Sequence, residues 1–269
     1  MTAMRLAFRV AYIGDYFFGS QMQPGVRTVE GVFIAACTRL DLFDDWRSAR
    51  FSCSGRTDRG VSARGQVCAF CTDHPERAVD VLNVQLPPDC WCSGWAEVPA
   101  TFHPRYDARE RTYRYYLQDG SLDEPALDEA AAAFVGTHDF SRFARAGDRN
   151  PIRTIRSARC FREGGFRVFE VRGESFLWNM VRCMAWALIA CGKGDMTPAD
   201  IASLLDYRRG DRMPAAPPEG LVLWDVDCGI TFRPMALGPR RKVHLEDQVR
   251  GWVLRKKIVG ELCGPGLDL

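Results

Sequence analysis

Short strands alternate with amphipathic helices along this chain, and this alternation constrains the fold more than any other feature. Residues 6–13 alternate in polarity as a strand does. After Thr28, a plausible N-cap, apolar residues recur on one helical face. Further strands are predicted at residues 50–54, 66–72 and 91–98, with a second helix at residues 77–84. The first hundred residues are therefore predicted to be mixed α and β.

The same alternation returns in the second part of the chain. Strands are predicted at residues 111–117, 152–161, 166–172 and 221–226, and helices in "EPALDEAAAAFVG", at 176–191 and at 198–206. Two β-rich parts that each carry helices indicate two related α+β units meeting at a cleft. We place their boundaries at residues 1–104 and 105–236.

Residues 237–269 form a basic C-terminal extension. A single amphipathic helix is predicted there, with Leu245, Val249, Trp252 and Val253 facing inward. The extension could contact phosphate, contact a second subunit, or be a solvated helix, which is the commonest outcome for a run of charges.

The eleven cysteines do not indicate a secreted, disulfide-linked scaffold. They are odd in number and spread over 269 residues, and the N-terminal "MTAMRLAFRVAYIG" is typical of a strand rather than a leader. The longest apolar run, "CMAWALIACG", is far shorter than the roughly 18 residues a membrane helix needs. We expect free thiols, a cytoplasmic location and no membrane association.

Several common chemistries lack their signatures. The chain has no Walker-type loop, no G-x-G-x-x-G after a strand and no H-E-x-x-H, and "GVSARG" misses the G-x-S-x-G spacing by one residue. Cys68 and Cys71 have zinc-like spacing, but "QVCAFCTD" is typical of a buried strand. We therefore expect neither a nucleotide nor a metal.

The loop "CSGRTDRGVSARGQV" has the composition of a reactive site. Arg56 and Arg59 flank Asp58 and favour its ionised form. Gly55 and Gly60 allow the backbone to approach a ligand closely. An ionised carboxylate can act as nucleophile or base on an electrophilic carbon without a cofactor. In isolation, however, such a turn is usually a solvated ion pair.

Eight segments resemble the tRNA pseudouridine synthase A family in the same order. They are "AYIGDYFFGSQMQPGVRTVEG", "GRTDRGVSARGQV", "NVQLPPD", "FHPRYDARERTYRYYL", "GTHDFSRF", "RTIRSA", "ESFLWNMVRCMAWALIACGKG" and "APPEGLVLWDV". The G-R-T-D-x-G-V motif is specific to this family among pseudouridine synthases. The resemblance covers almost the whole chain.

The resemblance implies a role for five residues. Asp58 corresponds to the catalytic aspartate, and Tyr113 to the tyrosine that stacks on the flipped uracil. Arg182 corresponds to the residue that pairs with the aspartate. Arg56 corresponds to the arginine that fills the place of the flipped base, and Leu221 to an apolar wall of the uracil pocket.

The resemblance also implies the fold, the substrate and the assembly. The family fold is α+β, with two tandem ferredoxin-like domains joined into one mixed β-sheet and a central basic RNA-binding cleft. An archaeal or bacterial member would isomerise uridine in the anticodon stem-loop of tRNA, at positions 38, 39 and 40. Family members are homodimers in which one tRNA contacts both subunits, and they use no metal or other cofactor.

Two departures from the family pattern are Ser20, where tryptophan is usual, and Ser62, where histidine is usual. We also expect Arg59 and Arg64 to bind phosphates beside the target.

Two other functions stay open for the whole protein. It could be a noncatalytic RNA-binding protein or a pseudouridine synthase acting on another RNA. Three reaction pathways also stay open for the synthase, namely glycal formation, acylal formation and Michael addition, because all three would use the same carboxylate.

Overall fold

The computed structural model describes residues 3–117, 122–145, 147, 150–206 and 210–263. They contain ten strands: β1 (Met4–Tyr12), β2 (Ser52–Cys53), β3 (Ser62–Thr72), β4 (Cys90–Glu97), β5 (Glu110–Leu117), β6 (Gly136–Asp139), β7 (Ile152–Glu163), β8 (Phe166–Gly173), β9 (Leu221–Asp227) and β10 (Arg233–Pro234). They also contain six helices: α1 (Val29–Arg39), α2 (Pro75–Gln85), α3 (Glu124–Ala132), α4 (Met180–Lys193), α5 (Pro198–Asp206) and α6 (Pro239–Cys263).

One mixed sheet runs through both halves of the molecule. Its strand order is β10-β4-β1-β3-β9-β5-β8-β7-β6, and β2 pairs with β3. The two halves join where β3 and β9 run parallel, with Ser62 opposite Val222 and Ala63 opposite Leu223. The predicted α+β fold with one mixed sheet is thereby confirmed.

Aromatic side chains hold the first half of the sheet to its helices. Phe33 of α1 packs edge-on against Phe8 and Phe70, with ring centroids 6.4 and 6.2 Å away. All three side chains are fully buried. As predicted, Thr28 caps α1, because its side-chain oxygen accepts a hydrogen bond from Gly31 N.

Two predicted element boundaries were wrong for the same backbone reason. The helix predicted to begin at Phe176 begins at Met180, because Asn179 has a φ of 63° and cannot continue a helix. The strand predicted over residues 50–54 is reduced to β2, and Arg50 has a φ of 53°. The segment before α4 is consequently a loop.

The prediction that α6 buries Leu245, Val249, Trp252 and Val253 was wrong, because Leu245 is only partly buried and the side chains of the other three are exposed. Only Arg241 of this helix is buried, donating hydrogen bonds to the carbonyls of Asn83 and Leu86 at the end of α2. Apolar residues occur all round α6, so no single face could be covered by the core.

In the described ranges no helix combines the length and apolarity needed to cross a bilayer. Residues 264–269 of the predicted extension lie outside the described residues.

Candidate active site

The loop between β2 and β3 is held by the segment that follows β1. Thr57 N donates to Ser20 Oγ at 2.8 Å, and Ser20 N donates to Thr57 O at 3.1 Å. The Thr57 hydroxyl shares a 2.9 Å hydrogen bond with Tyr12 OH, both side chains being buried. The residue before Asp58 is thus fixed through its backbone and its side chain.

Two glycines allow this close packing of loops. Gly19 has a φ of 90°, and a Cβ there would lie 2.9 Å from Thr57 O. Gly60 has a φ of 82°, which a residue with a side chain rarely adopts. Asp58 itself closes a turn, because its carbonyl accepts from Val61 N at 3.2 Å.

Each oxygen of the Asp58 carboxylate accepts one hydrogen bond from the second half of the chain. Arg182 Nη1 lies 3.1 Å from Oδ2, and Trp178 Nε1 lies 2.9 Å from Oδ1. The Asp58 side chain is 27% exposed and that of Arg182 16% exposed, so the ion pair is only partly screened by water. Hydrogen bonds to charged groups of this kind contribute about 1.5–3 kcal/mol each.

Arg182 reaches Asp58 from the first turn of α4. Its Nε donates to Ala216 O at 2.7 Å, and Ala216 N donates back to Arg182 O at 3.0 Å. These bonds orient the guanidinium toward the carboxylate. Apart from Lys193 in its last turn, the rest of α4 is apolar or small, and Asp58 is the acidic partner that the Arg182 charge requires on such a helix.

Tyr113 lies within electrostatic range of Asp58, on β5. Burial raises the pKa of Tyr113 to about 12, the Arg111 charge opposes this, and the Asp58 charge adds to it. The ring packs edge-on against Phe176 at 5.1 Å and is 8% exposed. Tyr115, two residues further along β5, is also buried, so burial alone does not distinguish a tyrosine that contacts the substrate from one that packs in the core.

The other two residues singled out by the resemblance differ in environment. Leu221 is buried at the start of β9, opposite Tyr115, while Tyr113 is opposite Leu223. Arg56 is exposed, and within the described part of the chain its side chain makes no hydrogen bond or ion pair. It is available to a ligand.

Arg59 and Arg64, predicted to act together, lie in different places. Arg59 is beside Asp58 in the loop, with its guanidinium 4.3 Å from the ring of Phe18. Arg64 and Arg114 lie 4.5 and 3.8 Å from the ring of Trp224. Arg114 follows Tyr113 in β5 and so faces the opposite side of the sheet. Strand alternation places Arg64 on the face of the sheet opposite to that of Tyr113, so we assign the phosphate contact beside Asp58 to Arg59 rather than to Arg64.

Sequence reasoning missed three contributors to the site. Trp178 lies in the segment "ESFLWNMVRCMAWALIACGKG", in which only Arg182 was assigned a role, and Ser20 was predicted only to be a departure from the family pattern. Ser62, the other departure, accepts a hydrogen bond from Gly14 N at 3.0 Å and so supports the same loop. The helix predicted to begin at Phe176 would not have revealed the loop that brings Trp178 to Asp58.

The cysteines near the site are part of the core. Cys68 is fully buried on β3, and burial raises the pKa of its thiol. Cys71 is partly buried, and its sulfur accepts a hydrogen bond from Arg5. Over the described ranges, His, Cys, Asp and Glu side chains form no group of three that could hold a metal ion.

Comparison with known proteins identifies the family. The family model described as tRNA pseudouridine synthase matches residues 9–107 and 130–227. A protein of Methanoculleus marisnigri named tRNA pseudouridine synthase A is 58% identical over 260 residues, which is 97% of this chain and 96% of the relative. Proteins of the same name from Methanosphaerula palustris and Thermococcus onnurineus are 54% and 44% identical, covering 98% and 96% of this chain and 95% and 98% of the relatives. All three organisms are archaea, as the sequence resemblance allows. The chain belongs to the tRNA pseudouridine synthase family.

Proposed function

We propose that this protein is an isomerase that converts uridine to pseudouridine in tRNA and that Asp58 is its essential residue. The observation that supports this most directly is the carboxylate of Asp58, which accepts hydrogen bonds from Arg182 and Trp178 and keeps a partly exposed face. Family membership supplies the reaction and the substrate class.

The reaction conserves every atom of the nucleotide. The bond from N1 of uracil to C1′ of the ribose breaks, the base turns, and a bond from C5 to C1′ forms. The proton on C5 leaves and N1 gains one, so no net oxidation occurs. An ionised carboxylate can begin this sequence as a nucleophile or as a base, and the fixed orientation of Asp58 suits either role.

The surroundings of Asp58 suit a nucleotide taken out of its stack. Tyr113 offers an aromatic ring within electrostatic range of the Asp58 carboxylate, and a planar ring suits stacking on a flipped base. Exposed Arg56 has the length and charge to enter the space that the base vacates. We assign the nearby phosphate contact to Arg59, and an apolar wall of the uracil pocket to Leu221.

Three finer points are proposed, the first two on the family resemblance and the third on the cysteines. The target uridines are those at positions 38, 39 and 40 of the anticodon stem-loop. The protein acts as a homodimer in which one tRNA contacts both subunits, which sedimentation equilibrium would test. It works in the cytoplasm, where its free thiols stay reduced.

One assay tests the main proposal. Unmodified tRNA is incubated with the protein in excess EDTA and without nucleotide, and pseudouridine is then mapped by carbodiimide-stalled reverse transcription. We expect stops at the anticodon stem-loop. Binding of tRNA without any stop would favour a noncatalytic RNA-binding protein. The same incubation is repeated with ribosomal and with messenger RNA, and stops in one of these but not in tRNA would favour another substrate. Activity that EDTA abolishes and only zinc restores would contradict a metal-free reaction.

A further inference from the structure

Trp178 and Arg182 each donate a hydrogen bond to a different oxygen of the Asp58 carboxylate. The Trp178 indole N–H donates to Oδ1 at 2.9 Å, while Arg182 donates to Oδ2 at 3.1 Å. An ionised carboxylate has about four lone-pair sites, two on each oxygen. Each donor occupies one site on its own oxygen, so one site on each oxygen is left for a substrate.

The backbone around Trp178 is built to hold the indole in this place. Asn179, with a φ of 63°, ends the loop before α4, and Trp178 precedes it outside the helix. Arg145 N donates to Trp178 O at 2.9 Å, and the Arg145 guanidinium lies 5.0 Å from the indole ring. Trp178 is 54% exposed, yet a backbone hydrogen bond holds its main chain and the Arg145 guanidinium packs against its indole ring.

A single donor would leave the carboxylate less defined. With Arg182 alone, the Asp58 side chain could turn about its Cβ–Cγ bond, because that torsion is broad and roughly two-fold. A second donor on the other oxygen fixes the plane of the carboxylate and so the direction of its free lone pairs. Reaction rates depend steeply on this kind of orientation.

We infer that Trp178 is a positioning residue, whose indole N–H fixes the plane of the Asp58 carboxylate for attack on the target nucleotide. The inference rests on the proposed function of Asp58. A competing role for Trp178 is base stacking through its exposed ring, which would use the aromatic surface and not the N–H. A substitution that keeps only the aromatic face would preserve stacking, whereas one that keeps only the N–H donor would preserve positioning.

Two substitutions separate the roles. Trp178→Phe keeps an aromatic face and removes the donor. Trp178→His keeps a five-membered ring whose Nε2 occupies the position of the indole Nε1 relative to Cβ, and it removes the fused benzene ring. Trp252→Phe, on the exposed and distant part of α6, is the matched control for loss of an indole.

The measurement is the single-turnover rate at saturating enzyme, with tRNA affinity determined separately. We expect Trp178→Phe to lower the rate about ten-fold or more, the cost of one charge-assisted hydrogen bond, with affinity within about two-fold of wild type. Trp178→His should recover most of the rate. A full rate in Trp178→Phe, or an equal loss of rate in both variants, would overturn the inference.

A second measurement does not depend on activity. With tryptophan labelled with ¹⁵N, the indole resonance of Trp178 is assigned by its loss in Trp178→Phe. Replacing Asp58 by alanine should move that resonance strongly and leave the Trp252 resonance in place. An unmoved Trp178 resonance would overturn the inference even if the protein proves active, whereas a moved resonance in a protein inactive on all RNA would count against the proposed function instead.

Discussion

Arg182 Nη1 lies 3.1 Å from Asp58 Oδ2, although 124 residues separate the two in sequence. Asp58 precedes β3 and Arg182 lies on α4, and the parallel pairing of β3 with β9 joins the two halves that carry them. Neither half alone contains the ion pair. Joining the halves into one sheet is therefore a condition for assembling the site.

Replacing Arg56 by alanine should slow the reaction without much loss of affinity. Extruding a base costs a few kcal/mol, which the wild-type side chain partly offsets, so we expect the single-turnover rate at saturating enzyme to fall about 10- to 100-fold. Arg64→Ala, on the other side of the sheet, is the control. If Arg56→Ala changes only affinity, Arg56 is a phosphate contact and does not replace the base.

Replacing Arg59 by alanine should weaken binding and leave the saturated rate nearly intact. Removal of one phosphate contact reduces the slope of log affinity against log salt by about one unit. Arg64→Ala should leave that slope unchanged, because Arg64 packs on Trp224 away from Asp58. Binding curves over a salt series measure both variants. Equal slopes in the two variants would contradict the different positions assigned to these arginines.

The sequence predicted the fold where polarity patterns are strong. The core strands, α1 with its Thr28 cap, and α5 at residues 198–206 were all predicted at or near their observed positions. Errors came where single backbone conformations decide the outcome, as at Asn179, or where tertiary packing is absent, as along α6. The contact between Asp58 and Arg182 was implied by family resemblance, but the contact with Trp178 depends on a loop that periodicity does not reveal.

Tyr113 offers a test of the stacking role. Tyr113→Leu keeps an apolar side chain on β5 and removes the planar face, so we expect a loss of rate of about 10- to 100-fold, the value of stacking on one base. Tyr113→Phe keeps the face and should stay close to wild type. Thermal unfolding of both variants separates a folding defect from a loss of rate. A Leu variant with full rate would mean that Tyr113 is a core residue only.

Glu170 should link stability to pH. Its carboxylate is 2% exposed and accepts from Arg114, Arg159 and Arg172; burial raises its pKa, but these three contacts outweigh burial and lower it overall. Because the folded-state pKa is lowered, ionised Glu170 stabilises the fold fully above the ordinary pKa of glutamate. This stabilisation is lost as the pH falls through the folded-state pKa.

Replacing Glu170 by glutamine should cost about 2 kcal/mol in the free energy of unfolding at pH 7, because it leaves three guanidinium groups without their shared anion. The difference from wild type should shrink as the pH falls from the ordinary pKa of glutamate through the lower folded-state pKa of Glu170, because the wild-type side chain then also becomes neutral. Glu163→Gln, at a more exposed partner of Arg114, is the control and should cost less. A difference in urea unfolding that does not vary with pH would contradict this assignment.

The central claim is that the charge of Asp58 drives the isomerisation, and Asp58→Asn tests it most directly, because the amide keeps the shape of the side chain and loses the charge. Single-turnover assays on unmodified tRNA at saturating enzyme, with affinity measured on the same preparation, are the measurement. We expect the rate to fall by at least about 1,000-fold while affinity stays within about three-fold of wild type. Turnover near the wild-type rate in that variant would contradict the account.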